Sequence, residues 1–267
     1  MIELDVATAS ETGPRPTNED HVAWRLPEDP LLRERKGGLF VLADGVGGHA
    51  SGEVASAAAA ATLLEEYFSP SNHARVEPAL QRAMQAANMR VYEMAERDHH
   101  LGGMQTTLDG LAVTDAGAYV AHVGDGRCYH WRDGAIRQLT FDHSEVSELV
   151  RLRLVKREKL RTHPRRSILT RTCGAQLMLR PDFLRQPLRA GDRFLLCTDG
   201  LWAALEDDEI ARDLGSPSAA DACGELVATA LRAGTDDNVS AAVVEVLAVA
   251  PTPAQPRWRP SFFGRAS

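Results

Sequence analysis

Apolar and polar positions change their spacing several times along this chain, and each change marks an element. Residues 2–9 alternate in part and predict a strand, 21–26 predict its partner, and the apolar run 38–43 predicts a buried strand. Residues 51–68 lack proline and are rich in alanine, which predicts a helix ended by Pro70. Its expected packing face is Val54, Ala57, Ala58, Ala61 and Leu64, small enough to lie close on a sheet. Residues 78–98 predict a second long helix with proline in its first turn and Leu80, Met84, Ala87, Val91 and Met94 along one side. The middle reads as a β-meander: strands at 106–113, 118–123 and 127–132, with turns at Asp115-Ala116-Gly117 and Asp133-Gly134, followed by 136–139. From Ser144 the pattern is helical, then loop-like around His163-Pro164. Residues 187–197 return to strand, 206–214 and 219–232 predict helices, and 239–249 the last strand.

Composition narrows the class. The 267 residues are 44% hydrophobic and 25% charged, as in ordinary soluble globular chains. Cys128, Cys173, Cys197 and Cys223 are scattered without a CxxC pair, which argues for buried free thiols rather than a zinc ribbon or disulfide scaffold. A net charge of −7 argues against general nucleic-acid binding. The acidic start lacks an apolar signal core, and no uncharged stretch is long enough to span a bilayer. The expectation is a cytoplasmic monomer with no membrane partner. The charge is uneven: residues 144–172 hold nine Arg or Lys against three Glu, a local +6 that leaves −13 for the rest. Residues 250–267, with four prolines and three arginines, are expected to be a disordered tail after one domain at 1–249. Within that tail, the stretch from Arg257 to Phe263 is an alternative docking element for a partner or membrane.

Five acidic motifs carry the candidate chemistry: Asn18-Glu19-Asp20, Asp44-Gly45-Val46-Gly47-Gly48, Gly124-Asp125-Gly126, Thr198-Asp199-Gly200 and Asp236-Asp237-Asn238. At least three follow an apolar run that reads as a strand. A carboxylate at a strand end beside a glycine turn is well placed to point into a site. Oxygen-rich clusters of this kind suit Mg²⁺ or Mn²⁺.

Seven segments in order resemble the protein phosphatase 2C family of metal-dependent serine/threonine phosphatases, in its bacterial branch. They are Gly13 to Asp20, Ala43 to Gly52, Gly103-Met104-Gln105-Thr106-Thr107, Val123-Gly124-Asp125-Gly126-Arg127, Leu139 to Ser144, Cys197-Thr198-Asp199-Gly200-Leu201 and Asp236-Asp237-Asn238-Val239-Ser240. A lone Asp-Gly is only a turn; seven such segments in family order form a pattern. The resemblance implies an α+β fold, an α-β-β-α sandwich of two packed antiparallel sheets flanked by helices. It implies hydrolysis of phosphoserine and phosphothreonine by attack of a metal-bound water or hydroxide. Phosphate monoesters hydrolyse extremely slowly unaided, and two ions roughly 3.5–4 Å apart clamp the phosphoryl group and supply hydroxide at neutral pH.

By the same resemblance Asp44 bridges the two ions and the Gly45 carbonyl ligates one. Asp199 and Asp237 complete the first ion; Glu19 serves the second, with Asp20 acting through water. Asp125, with Asp199, matches a third-ion site of bacterial members. Arg15 is the phosphate anchor, because a guanidinium forks two oxygens as lysine cannot. Arg15 and Asp44 are thus the implied catalytic pair, and Asp236 is a bystander beside Asp237. Two positions depart from the pattern. Val46 stands where some relatives carry histidine as a general acid, and Gly126 where serine is common. His49 is an alternative acid or a brace for the glycine turn, and His143 and His163 read as structural.

Residues 144–172 correspond to the flap of bacterial relatives, where Arg151, Arg153, Lys156 and Arg157 are candidates to attract acidic phosphoproteins. The expected partners are phosphorylated proteins, a Ser/Thr kinase and its targets. Competing classes are a pseudophosphatase that only binds, against which retention of Arg15, Glu19, Asp44, Asp199 and Asp237 argues, and a phosphatase of anti-sigma-factor-antagonist pathways, whose usual sensor domain finds no room here.

Overall fold

A computed structural model describes residues 2–46 and 51–249. The chain opens with strands β1 (Glu3–Glu11) and β2 (Asp20–Arg25), helix α1 (Pro30–Lys36) and strand β3 (Gly38–Val46). Helices α2 (Ser51–Tyr67) and α3 (Val76–Arg97) follow, then strands β4 (Gln105–Thr106), β5 (Leu108–Thr114), β6 (Gly117–Val123), β7 (Arg127–Arg132) and β8 (Ala135–Gln138). Residues 144–172 carry α4 (Glu145–Arg151); β9 (Asp182–Gln186), β10 (Arg193–Cys197), α5 (Asp199–Trp202), α6 (Asp207–Leu214), α7 (Ala219–Arg232) and β11 (Val239–Ala248) complete the fold.

The strands form two antiparallel sheets, β1-β11-β10-β7-β8 and β2-β3-β5-β6-β9, with β4 paired to β3. Strand β3 shows why a continuous apolar run is needed. Leu39, Val41 and Ala43 pack under α2 and α3, while Phe40 and Leu42 face the other sheet. Period-two side chains on a strand covered on both faces must all be apolar. Phe194, Leu196 and Val244 complete the layer between the sheets, and Leu195, Cys197 and Val243 turn outward onto α6 and α7. The α-β-β-α sandwich is therefore the observed architecture, with both sheets covered by helices.

Several local expectations need correction. The most deeply buried face of α2 is Ala55, Ala59, Ala60, Leu63 and Tyr67, about one residue round from the expected one; of that one, Val54, Ala58 and Leu64 pack at the edge of the core, while Ala61 is exposed. An alanine-rich helix is nearly equally apolar on all sides, so periodicity cannot choose its face. Tyr67 does choose, because its hydroxyl donates to the buried carbonyl of Lys36 at 2.7 Å. The α3 face is as expected for Leu80, Met84, Ala87 and Val91, all buried. Helix α1 was not anticipated, although Asp29 caps it by accepting from Leu31 N and Pro30 opens it. The stretch 187–197 is strand only from Arg193, and β9 precedes it.

The meander is also corrected. Strands β6 and β7 lie in different sheets, so Gly124-Asp125-Gly126 is a crossing between layers, not a hairpin turn. Gly124 takes φ +113°, with Thr107 packed where a Cβ would stand. By contrast Asp133-Gly134, both at positive φ, make the two-residue β7–β8 hairpin that Asp-Gly predicts.

Candidate active site

One end of the sandwich gathers the acidic motifs. Asp20 begins β2, Asp44 and Gly45 lie near the end of β3, Asp125 sits on the sheet crossing, Asp199 begins α5, and Asp237 precedes β11. A cavity of about 510 Å³ opens there, walled by Glu19, Asp44, Gly45, Asp125, Asp199 and Asp237, with Arg15 and Val46 at its sides. Asp20 stands behind the wall, buried, with Oδ2 accepting from Thr198 Oγ1 at 3.0 Å.

Threonines and an asparagine hold these groups in place. Thr107 Oγ1 accepts from Asp44 N at 2.9 Å, and Asp44 O accepts from Thr107 N and Thr106 Oγ1, both at 2.8 Å. Thr198 N donates to Ser240 O, and Ser240 N to Thr198 Oγ1, which fixes the Asp199 segment against β11. Asn238 staples the loop that carries Arg15 and Glu19. Its Nδ2 donates to Thr12 O and Thr17 O at 2.7 and 2.9 Å, and its Oδ1 accepts from Glu19 N at 2.9 Å. Trp202 Nε1 donates to Asp125 O at 2.9 Å, and Arg127, paired with Asp142, stacks 3.5 Å from the Trp202 ring centre. These supports escape composition and periodicity. Asn238 and Thr198 could have been found by their adjacency to Asp237 and Asp199 within the motifs, and Thr106 and Thr107 by their own motif, which carries no acid.

The electrostatics are those of crowded like charges. Burial, then the carboxylates of Asp20, Asp199, Asp125 and Asp237, push Asp44 well above the usual aspartate range. Burial and Asp199 do the same to Asp125. Asp199 is pushed up to about 7 by burial, then by Asp237 and Asp20, with Arg166 opposing. Asp20 is pushed up to about 6 by burial, against hydrogen bonds from Ser240 and Thr198. Burial also raises Glu19, and Arg15 opposes it. Asp20 Oδ1 is buried with no hydrogen-bond partner. Among the described residues no three His, Cys, Asp or Glu side chains are drawn together closely enough to hold an ion as they stand; the acids line an open cavity.

Arg15 does not reach freely into this space. Its Nη2 donates to Asp237 Oδ2 at 2.6 Å and its Nε to Asp236 O at 2.9 Å. From the segment 144–172, Ser167 and Leu169 join the wall. The four basic residues singled out from the sequence are not there. Arg151, Arg153, Lys156 and Arg157 are exposed, Arg151 pairs with Glu148 at 2.6 Å, and Arg157 lines a separate cavity of about 200 Å³ beside Asp142 and Asp207. His143 is buried against Gly124, and His49 falls outside the described residues.

The sequence pattern described as protein phosphatase 2C matches residues 18–248. The serine/threonine protein phosphatase PstP of Mycobacterium tuberculosis is 36% identical over 210 residues, 78% of this chain and 40% of the relative. The chain thus spans well under half the length of that curated relative. Protein phosphatase PhpP of Streptococcus pneumoniae is 31% identical over 250 residues, covering 91% of this chain and 98% of PhpP. The crystal structure of the PstP catalytic domain in complex with two manganese ions superposes with a TM-score of 0.80 at 32% identity, covering 93% of this chain and 100% of that one. This chain belongs to the protein phosphatase 2C family.

Proposed function

We propose that the chain is a metal-dependent protein phosphatase that hydrolyses phosphoserine and phosphothreonine in proteins. One observation carries the reading: Glu19, Asp44, Asp125, Asp199 and Asp237 wall a single cavity, and four of them are pushed toward protonation by burial and by one another. Such a set asks for cations. The donors are all hard oxygens, which fits Mg²⁺ or Mn²⁺, and the partnerless Asp20 Oδ1 leaves an acceptor for a bound water. Asp44 and the Gly45 carbonyl, with Asp199 and Asp237, would hold one ion, and Asp44 with Glu19 the second, Asp20 standing behind. Asp125 with Asp199 would hold a third. Bound there, the ions would supply Lewis acidity and a hydroxide nucleophile at neutral pH. The two manganese ions of the PstP catalytic domain and the phosphatase names of the relatives support this.

The chain's own groups do the rest. Arg15 lies at the cavity side, and an incoming phosphate competes with Asp237 for its Nη2. Val46 lines the cavity and has no proton to give, so the leaving alkoxide takes its proton from elsewhere. The exposed Arg151, Arg153, Lys156 and Arg157 steer acidic phosphoproteins from outside the cavity. Residues 1–249 form the catalytic domain, with 144–172 as its flap. The expected tail at 250–267 lies outside the described residues. The partners are a bacterial Ser/Thr kinase and its targets, met by a cytoplasmic monomer. Among the described residues no helix is long and apolar enough to cross a membrane.

The test is release of phosphate from a phosphothreonine peptide by the purified chain, stripped of metal and then titrated with Mn²⁺. Turnover that requires Mn²⁺ is expected. Tight peptide binding with no turnover at any Mn²⁺ concentration would make the chain a binding module instead.

A further inference from the structure

We propose that His143 is a positioning residue for the hydrolysis inferred above, clamping the Asp125-bearing sheet crossing to the flap segment that walls the cavity; this rests on the phosphatase reading. Every polar atom of His143 is committed. Its backbone N donates to Gly124 O at 2.7 Å, and its Nδ1 accepts from Gly124 N at 3.1 Å. Its carbonyl accepts from Thr170 N at 2.8 Å, one residue beyond Leu169 on the cavity wall. Its Nε2 lies 3.1 Å from Asp182 Oδ2.

The partners dictate the tautomer. Nδ1 faces an N–H and so carries no proton, which leaves the ring proton on Nε2 for Asp182. Arg171 Nη1 stands 3.1 Å from that Nε2 and 2.9 Å from Asp182 Oδ1. A protonated Nε2 cannot accept, so the Arg171 bond is the one to Asp182, and it holds that carboxylate in place. On one face of the ring, His122 lies 4.6 Å away, centroid to centroid. His122 is itself fixed by Asp109 at 2.6 Å and by Phe141 O at 2.9 Å. The His143 side chain is fully buried, so the ring has no room to turn.

The clamp acts where a small shift has leverage. Gly124 packs on Thr107, and the Thr107 hydroxyl accepts from Asp44 N. Asp125 follows Gly124 directly, and its own carbonyl is pinned by Trp202. Displacement of Gly124 therefore reaches both Asp125 and the support of Asp44. Misplacement of such groups acts on the chemical step more than on substrate capture.

The experiment compares wild type with His143→Leu and His143→Asn. Leucine fills the space without an acceptor, whereas the asparagine Oδ1 stands in for Nδ1. Backbone amide exchange is followed by NMR on the metal-free proteins, and kcat and KM are measured on a phosphothreonine peptide with Mn²⁺. In His143→Leu the Gly124 amide is expected to exchange about tenfold faster and kcat to fall about tenfold with KM within about twofold. His143→Asn is expected to restore Gly124 protection and most of kcat. An active wild type matched in kcat by His143→Leu would overturn the inference. If His143→Leu does not fold, lost Gly124 protection in a folded His143→Asn would overturn it. An inactive wild type counts against the phosphatase reading instead, and the exchange arm still decides the clamp.

Discussion

The Nη2 of Arg166 donates to both carboxylate oxygens of Asp236, at 3.0 and 3.3 Å, and ties the flap to the residue beside Asp237. Asp236 O also accepts from Arg15 Nε. One aspartate thus meets two arginines, one from the flap and one from the loop before β2. Asp236 stays outside the cavity wall that Asp237 joins and instead partners both arginines. The Asp236 side chain is largely exposed, so the pair contributes at most about 1 kcal/mol to stability. Its significance is where it holds the flap.

Replacing each of the two neighbours by asparagine should separate those roles. Asp237→Asn is expected to lower kcat about a hundredfold or more, about 3 kcal/mol of barrier. Asp236→Asn is expected to raise KM for a phosphopeptide severalfold while an aryl phosphate is turned over almost as before. Equal losses in both folded variants, on both substrates, would sink the assignment of Asp237 as the ion ligand.

Asp44 is the most crowded of the acids, so its replacement should move stability and activity in opposite directions. Asp44→Asn removes a buried group that four neighbouring carboxylates repel. The metal-free variant is expected to melt higher than wild type and to hydrolyse neither an aryl phosphate nor a phosphopeptide. Near-wild-type turnover at saturating Mn²⁺ would refute the dinuclear reading.

The same crowding predicts a pH dependence with a definite sign. Asp20 and Asp199 are held near 6 and 7 in the folded chain against an ordinary value of 3.8, and Asp44 and Asp125 are raised as well. Folded-state pKa values above the unfolded ones mean that the folded state binds more protons, so its stability falls as pH rises through this range. His143, lowered to about 4 by burial and then by His122, acts in the opposite direction, but only below its ordinary value of 6.5. Between about pH 6.5 and 8 the acids dominate, and Lys36, lowered to about 8 by burial, opposes them only at the top of that range. The metal-free Tm should drop over that window, and Mn²⁺ should raise Tm more at pH 8 than at 6.5. A metal-free Tm that climbs from 6.5 to 8 would contradict the clustering of charge.

What could be read from the sequence depended on the range of the forces involved. Strand β3 was legible because two covered faces demand an unbroken apolar run. The acids were legible because each sits beside a turn or strand end in a fixed order. The α2 face was not, since alanines on all sides leave the choice to Tyr67 and its distant partner Lys36. Gly124-Asp125-Gly126 has the composition of a hairpin turn, and only the pairing of β6 with β9 and of β7 with β10 makes it a crossing. In the flap, local charge pointed to residues 151–157. Ion pairs between Arg166 and Asp236, and between Arg171 and Asp182, decide instead that Ser167 and Leu169 meet the cavity. No local pattern encodes partners 70 residues apart.

The structure explains why this chain carries glycine at 126 where serine is common in the family pattern. A Cβ at Gly126 would overlap Oδ2 of Asp109. That oxygen is buried without a hydrogen-bond partner, while Oδ1 is held by His122 at 2.6 Å. Asp109 is fully enclosed and cannot swing aside. Gly126→Ser is therefore expected to destabilise the chain by about 1–3 kcal/mol, the usual cost of overpacking a filled interior. The added hydroxyl gives no relief unless it reaches Oδ2 in good geometry, which the overlap prevents. Combining it with Asp109→Ser should cost less than the two single changes added, because the second substitution clears the space the first needs. Urea unfolding of the four proteins measures this directly. A Gly126→Ser variant as stable as its parent, or strict additivity in the pair, would show that Asp109 does not dictate the glycine.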